Sequence, residues 1–256
     1  MRKMGTSNQN HPTQTDGGII MKTVLGCIRR ADQDFGMIAD GDRIAVGVSG
    51  GKDSLLLLYA LSLYRKFSHK NFQLEALTLK MGFEPFDTAT VAALCEKLEA
   101  PYTVRDTDIA EILFVHRKES NPCALCAKMR RGALNNLARE RGCNKLALGH
   151  HREDALETLM MSLIFEGRLH TFHPVTYLSR SDITVIRPIV YLPEAEVVRM
   201  AKALALPVIH NPCPANGNTK RQEMKELLAN LSKTYPQLKE RMLHALQNKA
   251  QYGLWG

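Results

Sequence analysis

Six consecutive residues, Ser49-Gly50-Gly51-Lys52-Asp53-Ser54, carry the groups with which a chain can grip a polyphosphate. A phosphate binds well where several backbone N–H groups converge, and two adjacent glycines let the chain curl tightly enough to bring them together. The Ser49 and Ser54 hydroxyls and the Lys52 ammonium add donors. Asp53 is the informative member. A carboxylate beside a polyphosphate is repelled unless a divalent cation lies between them, which assigns Asp53 to Mg²⁺.

The stretch follows the β-branched run Arg43 to Val48 and leads into Leu55-Leu56-Leu57-Leu58-Tyr59, an order that reads as strand, phosphate loop, helix. The helix would aim its free N–H groups and the positive end of its dipole at the same point. The common P-loop requires glycine where Val46 stands and Ser or Thr where Asp53 stands. The stretch resembles instead the loop of the PP-loop ATPases, Ser-Gly-Gly-x-Asp-Ser, which cut ATP between the α and β phosphates and adenylate an oxygen of their substrate.

A second set of residues offers sulfur. Cys123 and Cys126 open a segment, 123–141, that reads as a helix closed by Gly142, so both thiols fall in its first turn on one face. The helix N-terminus and the nearby Lys128, Arg130 and Arg131 are expected to favour thiolate over thiol. That pair alone fits zinc, an iron-sulfur cluster, a redox dithiol or two packed thiols. Cys213, in His210-Asn211-Pro212-Cys213-Pro214-Ala215-Asn216, shifts the balance. Three thiolates fit a cluster with one iron left open better than a closed four-ligand zinc site, with His210 the residue that would complete a zinc site. Cys27, Cys95 and Cys143 are read as small apolar residues of the interior.

A third constellation is Gly149-His150-His151-Arg152-Glu153-Asp154, two imidazoles and two carboxylates where a strand runs into a helix. Gly149, His150 and Asp154 are expected to face the nucleotide and its metal. The elements that must position these residues are strands at 43–48, 73–79, 102–104, 145–148 and 185–189, with helices between them, notably 85–99. Such alternation implies an α/β fold, a parallel, doubly wound Rossmann-like sheet of about five strands with ligands at the carboxyl ends of the strands. Residues 1–18 are polar and read as a disordered tail, 19–40 as an N-terminal helical segment, 41–215 as the nucleotide domain, and 216–256 as a C-terminal helical segment with helices at 220–231 and 236–248. Lys220, Arg221 and Lys225 form a basic edge near Cys213 in this reading.

The chain has 256 residues, 45% of them hydrophobic, enough for one sizeable core. A formal charge of +8 favours a polyanionic partner such as nucleic acid. No secretory signal and no apolar run of membrane-spanning length is evident, so a reducing cytoplasmic setting without disulfides is expected for the six cysteines.

Taken in order, 34–54, Cys123-Ala-Leu-Cys126 with Met129 to Leu134, Leu148 to Asp154, Ile186-Arg187-Pro188, and Cys213 with Arg221-Gln222 resemble the tRNA 2-thiocytidine synthetases across roughly 21–248. The resemblance implies an enzyme that uses Mg·ATP to adenylate the C2 oxygen of a cytidine in the tRNA anticodon loop, after which sulfur displaces AMP. It implies a 4Fe-4S cluster on Cys123, Cys126 and Cys213, sulfur from a cysteine desulfurase or another donor, and catalytic roles for Lys52 and Asp53 at the phosphates. It leaves a homodimer open. The family usually has two consecutive aspartates after Gly-His-His-Arg, and Glu153 replaces the first. The competing readings are another PP-loop thiolation enzyme of the 2-thiouridine type and a non-catalytic, zinc-stabilised RNA-binding module.

Overall fold

The computed structural model describes residues 14–82, 86–116, 122–209, 213, 219–248, 250 and 252–253. The expected strands are present as β1 (Arg43–Gly47), β2 (Gln73–Lys80), β3 (Tyr102–Asp106) and β4 (Lys145–Ala147), each pairing in parallel with its neighbour. The last expected strand proves to be half of a hairpin. β5 (Val175–Leu178) runs antiparallel to β6 (Ile183–Ile186), and β6 pairs in parallel with β4. The sheet therefore has six strands in the order β3-β2-β1-β4-β6-β5, not five. β6 stops at Ile186 because Pro188 lacks the N–H that would continue a ladder, so the strand expected to reach Ile189 ends early.

Alternation along β1 divides the interior in two. Ile44 and Val46 point into a large core shared with α1 (Gln14–Phe35), α2 (Lys52–Phe67), α3 (Thr88–Lys97) and α7 (Glu194–Ala203). Ala45 points to the other face, where Leu137 and Ala138 of α5 (Pro122–Glu140) pack with Leu77 and Leu146. Leu55 to Leu58 of α2 are all fully buried, because that helix is enclosed by the sheet on one side and by α1 and α7 on the other. This burial fixes the start of α2, and hence the phosphate loop, to the centre of the sheet.

Two expectations among the helices need adjusting. α1 begins at Gln14, inside the stretch expected to be disordered, while 1–13 lie outside the described residues. α7 was not expected at all: its amphipathic pattern, with Val197, Met200 and Ala201 buried, is only three turns long and follows Pro193 directly. Between β3 and α5 lie a short α4 (Ile109–Glu111) and a π-helical turn (Ile112–His116). β4 runs into α6 (Arg152–Glu166), and α8 (Lys220–Thr234) and α9 (Leu238–Gln247) close the fold against it. No helix among the described residues is long and apolar enough to cross a membrane.

Candidate active site

The loop between β1 and α2 is held closed by its own side chains. Ser54 Oγ donates to the Gly51 carbonyl at 2.9 Å and accepts the Ser49 N–H at 3.1 Å. Gly50 has a φ of 79°, and a Cβ there would stand 3.0 Å from Ile209 Cβ, so glycine is required twice over. No side chain caps the start of α2 at Gly51, which leaves its first-turn N–H groups for an anion. Lys52 Nζ is 3.1 Å from Asp53 and 3.2 Å from Glu194. Burial opposes its charge, but these two carboxylates more than compensate and hold the ammonium above its ordinary pKa.

The β4–α6 junction forms the second wall. A Cβ at Gly149 would meet the Asp53 carbonyl carbon at 2.9 Å and Ser54 N at 3.0 Å, so the two loops touch through bare backbone. His151 accordingly sits beside the phosphate loop, with Nε2 3.7 Å from Asp53 and 3.5 Å from Asp154, and Nδ1 3.6 Å from Glu153. Burial works against its charge, and Glu153, Asp154, Asp53 and Glu194 together raise its pKa above the ordinary value. His150 is held by a different set of partners. Its Nδ1 accepts Arg187 Nε–H at 3.2 Å, and its ring lies 5.0 Å from that of Phe172.

Asp154 is shared between two partners. Its Oδ2 accepts the His151 N–H at 2.9 Å, and Arg221 Nη1 lies 3.4 Å from Oδ1 and 3.2 Å from buried Glu157. The basic edge expected from Lys220, Arg221 and Lys225 is thus consumed by ion pairs: Lys220 with Glu223, Arg221 with Asp154 and Glu157, Lys225 with Glu194 at 2.7 Å. Glu194 is a site residue that sequence reasoning missed. It joins Lys52 to Lys225, and the signal that could have found it, an acidic first turn after Pro193, is shared with any ordinary helix start.

Cys123 and Cys126 lie in the first turn of α5, and Cys126 is affected electrostatically by both Cys123 and Cys213. The Cys126 thiol is nevertheless raised, first by burial, with Arg130 opposing. The expectation of a lowered pKa there is corrected, because desolvation outweighs the basic neighbours. The chain leading to Cys213 is stitched to the phosphate loop, since Ile209 N–H donates to the Gly50 carbonyl at 2.9 Å. His210 and both flanking prolines lie outside the described residues. Cys95 and Cys143 are buried and Cys27 half-buried against the main core.

A PP-loop domain model matches residues 27–231. The tRNA-cytidine(32) 2-sulfurtransferase of Geobacter sulfurreducens is 39% identical over 230 residues, 89% of this chain and 90% of the relative. That of Pelobacter propionicus is 41% identical over 232 residues, covering 90% and 86%. The chain belongs to the tRNA-cytidine(32) 2-sulfurtransferase family of PP-loop proteins. Among solved structures, the U34-tRNA thiolase NcsA from Methanococcus maripaludis with its [4Fe-4S] cluster superposes with a TM-score of 0.75 at 27% identity, over 92% of this chain and 80% of that one.

For a member of this family, Asp53 suits the divalent cation that the fold implies. Asp53 Oδ1 is buried without a hydrogen bond, although Lys52 Nζ stands 3.1 Å away, an oxygen of the kind a divalent cation takes together with phosphate oxygens and water. Among the described residues no three His, Cys, Asp or Glu side chains converge closely enough to hold a single metal ion. A cluster held by Cys123, Cys126 and Cys213 would differ from a zinc site in spreading its ligands over separate irons.

Proposed function

We propose that the chain is an ATP-dependent tRNA sulfurtransferase that converts a cytidine of the anticodon loop to 2-thiocytidine. The observation that carries this reading is the Ile209 to Gly50 hydrogen bond, which ties the segment before Cys213 to the phosphate loop and supports a sulfur ligand near the nucleotide. Family membership at 39% identity over nearly the whole chain supports the same substrate.

In this reading the first-turn N–H groups of α2 and the loop from Ser49 to Ser54 hold the phosphates of ATP, and Lys52 offsets the charge that grows on them as the C2 oxygen attacks the α phosphorus. Asp53 would hold Mg²⁺, which when bound would supply further charge stabilisation at the phosphates, and Lys52 favours departure of pyrophosphate. Lys52 is held by Asp53 and Glu194 until a phosphate competes for it, and Lys225 remains to neutralise Glu194 when it leaves. Four carboxylates around His151 raise its pKa, which favours its charged form next to an incoming polyanion. Adenylation makes the C2 oxygen part of AMP, a far better leaving group. A 4Fe-4S cluster on Cys123, Cys126 and Cys213 supplies, when bound, an iron at which sulfur from a desulfurase persulfide or another donor can be presented.

Nucleoside analysis of tRNA tests the proposal. A bacterium lacking its own 2-thiocytidine enzyme should regain 2-thiocytidine when it expresses this chain. Expression of the iron- and sulfide-loaded protein with no 2-thiocytidine, or with new 2-thiouridine in its place, would redirect the substrate.

A further inference from the structure

We infer that His150 is a fixed hydrogen-bond donor, locked by Arg187 in the neutral tautomer that carries its proton on Nε2, and that it serves an oxygen acceptor of the substrate and not as a base. The argument starts from what a guanidinium can do. All its hydrogen-bonding atoms are donors, so an Arg187 Nε 3.2 Å from His150 Nδ1 requires a lone pair on Nδ1. With Nδ1 unprotonated, the ring's single proton is on Nε2.

Arg187 has little freedom to relax this demand. It is buried where β6 ends, its Nη1 donates to the His173 carbonyl at 2.6 Å, its own N–H donates to the Pro174 carbonyl at 3.0 Å, and its guanidinium carbon lies 4.7 Å from the centre of the Phe172 ring. Phe172 also packs against His150, so one aromatic ring braces both partners of the hydrogen bond. A second proton on His150 would set N–H against N–H and cation against cation. Burial and the charges of Arg187, Arg221 and His151 disfavour that proton, Asp154 alone among its neighbours favours it, and the balance pushes the imidazole down to about 4. Arg187, lowered to about 10 by burial and by Arg131 of α5, keeps its charge at neutral pH.

The chemistry left to the ring is donation from Nε2–H. Its complement is a carbonyl or phosphoryl oxygen, and which of the two rests on the adenylation reading above, whereas the tautomer does not. His150 lies at the β4–α6 junction, whose Gly149 touches the start of α2, so both the C2 oxygen of a cytidine and an α-phosphoryl oxygen are candidates of the same chemical class.

Long-range proton–nitrogen spectra of ¹⁵N-histidine-labelled protein test the assignment without turnover. His150 should show a lone-pair Nδ1 and a protonated Nε2 that stay unchanged between about pH 5.5 and 8, since its ordinary value near 6.5 is abolished. A protonated Nδ1, or a titration midpoint in that range, would overturn it. In Arg187→Gln the ring should titrate again; if that variant fails to fold, the wild-type spectrum still decides. Adding α,β-methylene-ATP alone or unmodified tRNA alone separates the two acceptors: a shift of Nε2 with the first names phosphoryl, with the second carbonyl, and with neither removes the donor role. In AMP release, His150→Gln, which keeps a donor, should outperform His150→Glu by about a hundredfold, the usual loss for one aligned donor; equal rates would contradict it.

Discussion

The carboxylate of Glu153 accepts the backbone N–H of Glu194 at 2.7 Å, tying the first turn of α6 to the first turn of α7. Its other oxygen takes Arg152 at 2.8 Å. Burial alone would raise this acid, but His151, Arg152 and that N–H hold it well below the ordinary carboxylate range. Where the resemblance implies an aspartate, the longer side chain of Glu153 spans two elements and works as a helix-joining anion. Removing it in Glu153→Ala should destabilise the fold by about 2 to 4 kcal/mol, because Arg152 and the start of α7 lose a buried partner. Glu153→Asp should cost less. Urea unfolding of the two variants checks the order.

Asp53→Ala should abolish tRNA-dependent pyrophosphate release, and Lys52→Ala should lower it by at least about a hundredfold, because each removes charge compensation at the phosphates. Pyrophosphate assays on both variants, with folding confirmed by unchanged thermal unfolding, provide the check. Wild-type turnover in Asp53→Ala would remove its assigned role.

Gly149→Ala tests the contact between the two loops with a single methyl. Its Cβ would lie 2.9 Å from the Asp53 carbonyl carbon, and backbone cannot swing aside as a flexible side chain can. The start of α2 must then shift, so ATP affinity should fall about tenfold or more, with a stability loss of about 1 to 3 kcal/mol from overpacking. Isothermal titration with ATP and a melting curve measure the two effects.

Asp42 supplies a pH prediction away from the site. It sits at the amino end of the sheet with Lys145 at 2.7 Å, Ala39 N–H at 2.6 Å and Asn144 Nδ2 at 2.8 Å. Burial would raise its pKa, and these partners outweigh burial and lower it. A depressed acid stabilises the fold fully above its unfolded value near 3.9 and loses that contribution as pH falls through the lower folded value. Asp42→Asn should therefore be less stable than wild type by about 1 to 3 kcal/mol at pH 7, and the gap should close in strong acid.

Cys213→Ala and Cys126→Ala should lose anaerobically reconstituted iron and sulfide while keeping ATP binding. The Cys126 thiol feels both Cys123 and Cys213 electrostatically, and under the proposed function each substitution removes one of the three sulfur ligands. Full iron content in either variant would show that the trio is not the ligand set.

Much of this arrangement could be read from residues alone because it is local. Ser49 to Ser54 fold back on one another, and the Cys123–Cys126 spacing needs only a helix. What escaped depends on distant parts of the chain. β5 is four residues long with Tyr177 exposed, so it offers no alternation longer than chance, and only its pairing with β6 makes it a strand. The polar edge assigned to Lys220, Arg221 and Lys225 was legible as charge, but its acidic partners Asp154, Glu157 and Glu194 come from other helices. The Arg187–His150 bond likewise joins the end of one strand to the end of another, through a carbonyl and a ring that only the folded hairpin supplies.

The most direct test measures AMP and 2-thiocytidine together. Iron- and sulfide-loaded protein, incubated without oxygen with Mg·ATP, unmodified tRNA and a sulfur donor, should form one AMP for each 2-thiocytidine, and Cys213→Ala should form none of the thiolated base. Sulfur incorporation that proceeds equally without ATP, or in Cys213→Ala, would contradict the coupling of the phosphate loop to the three sulfurs.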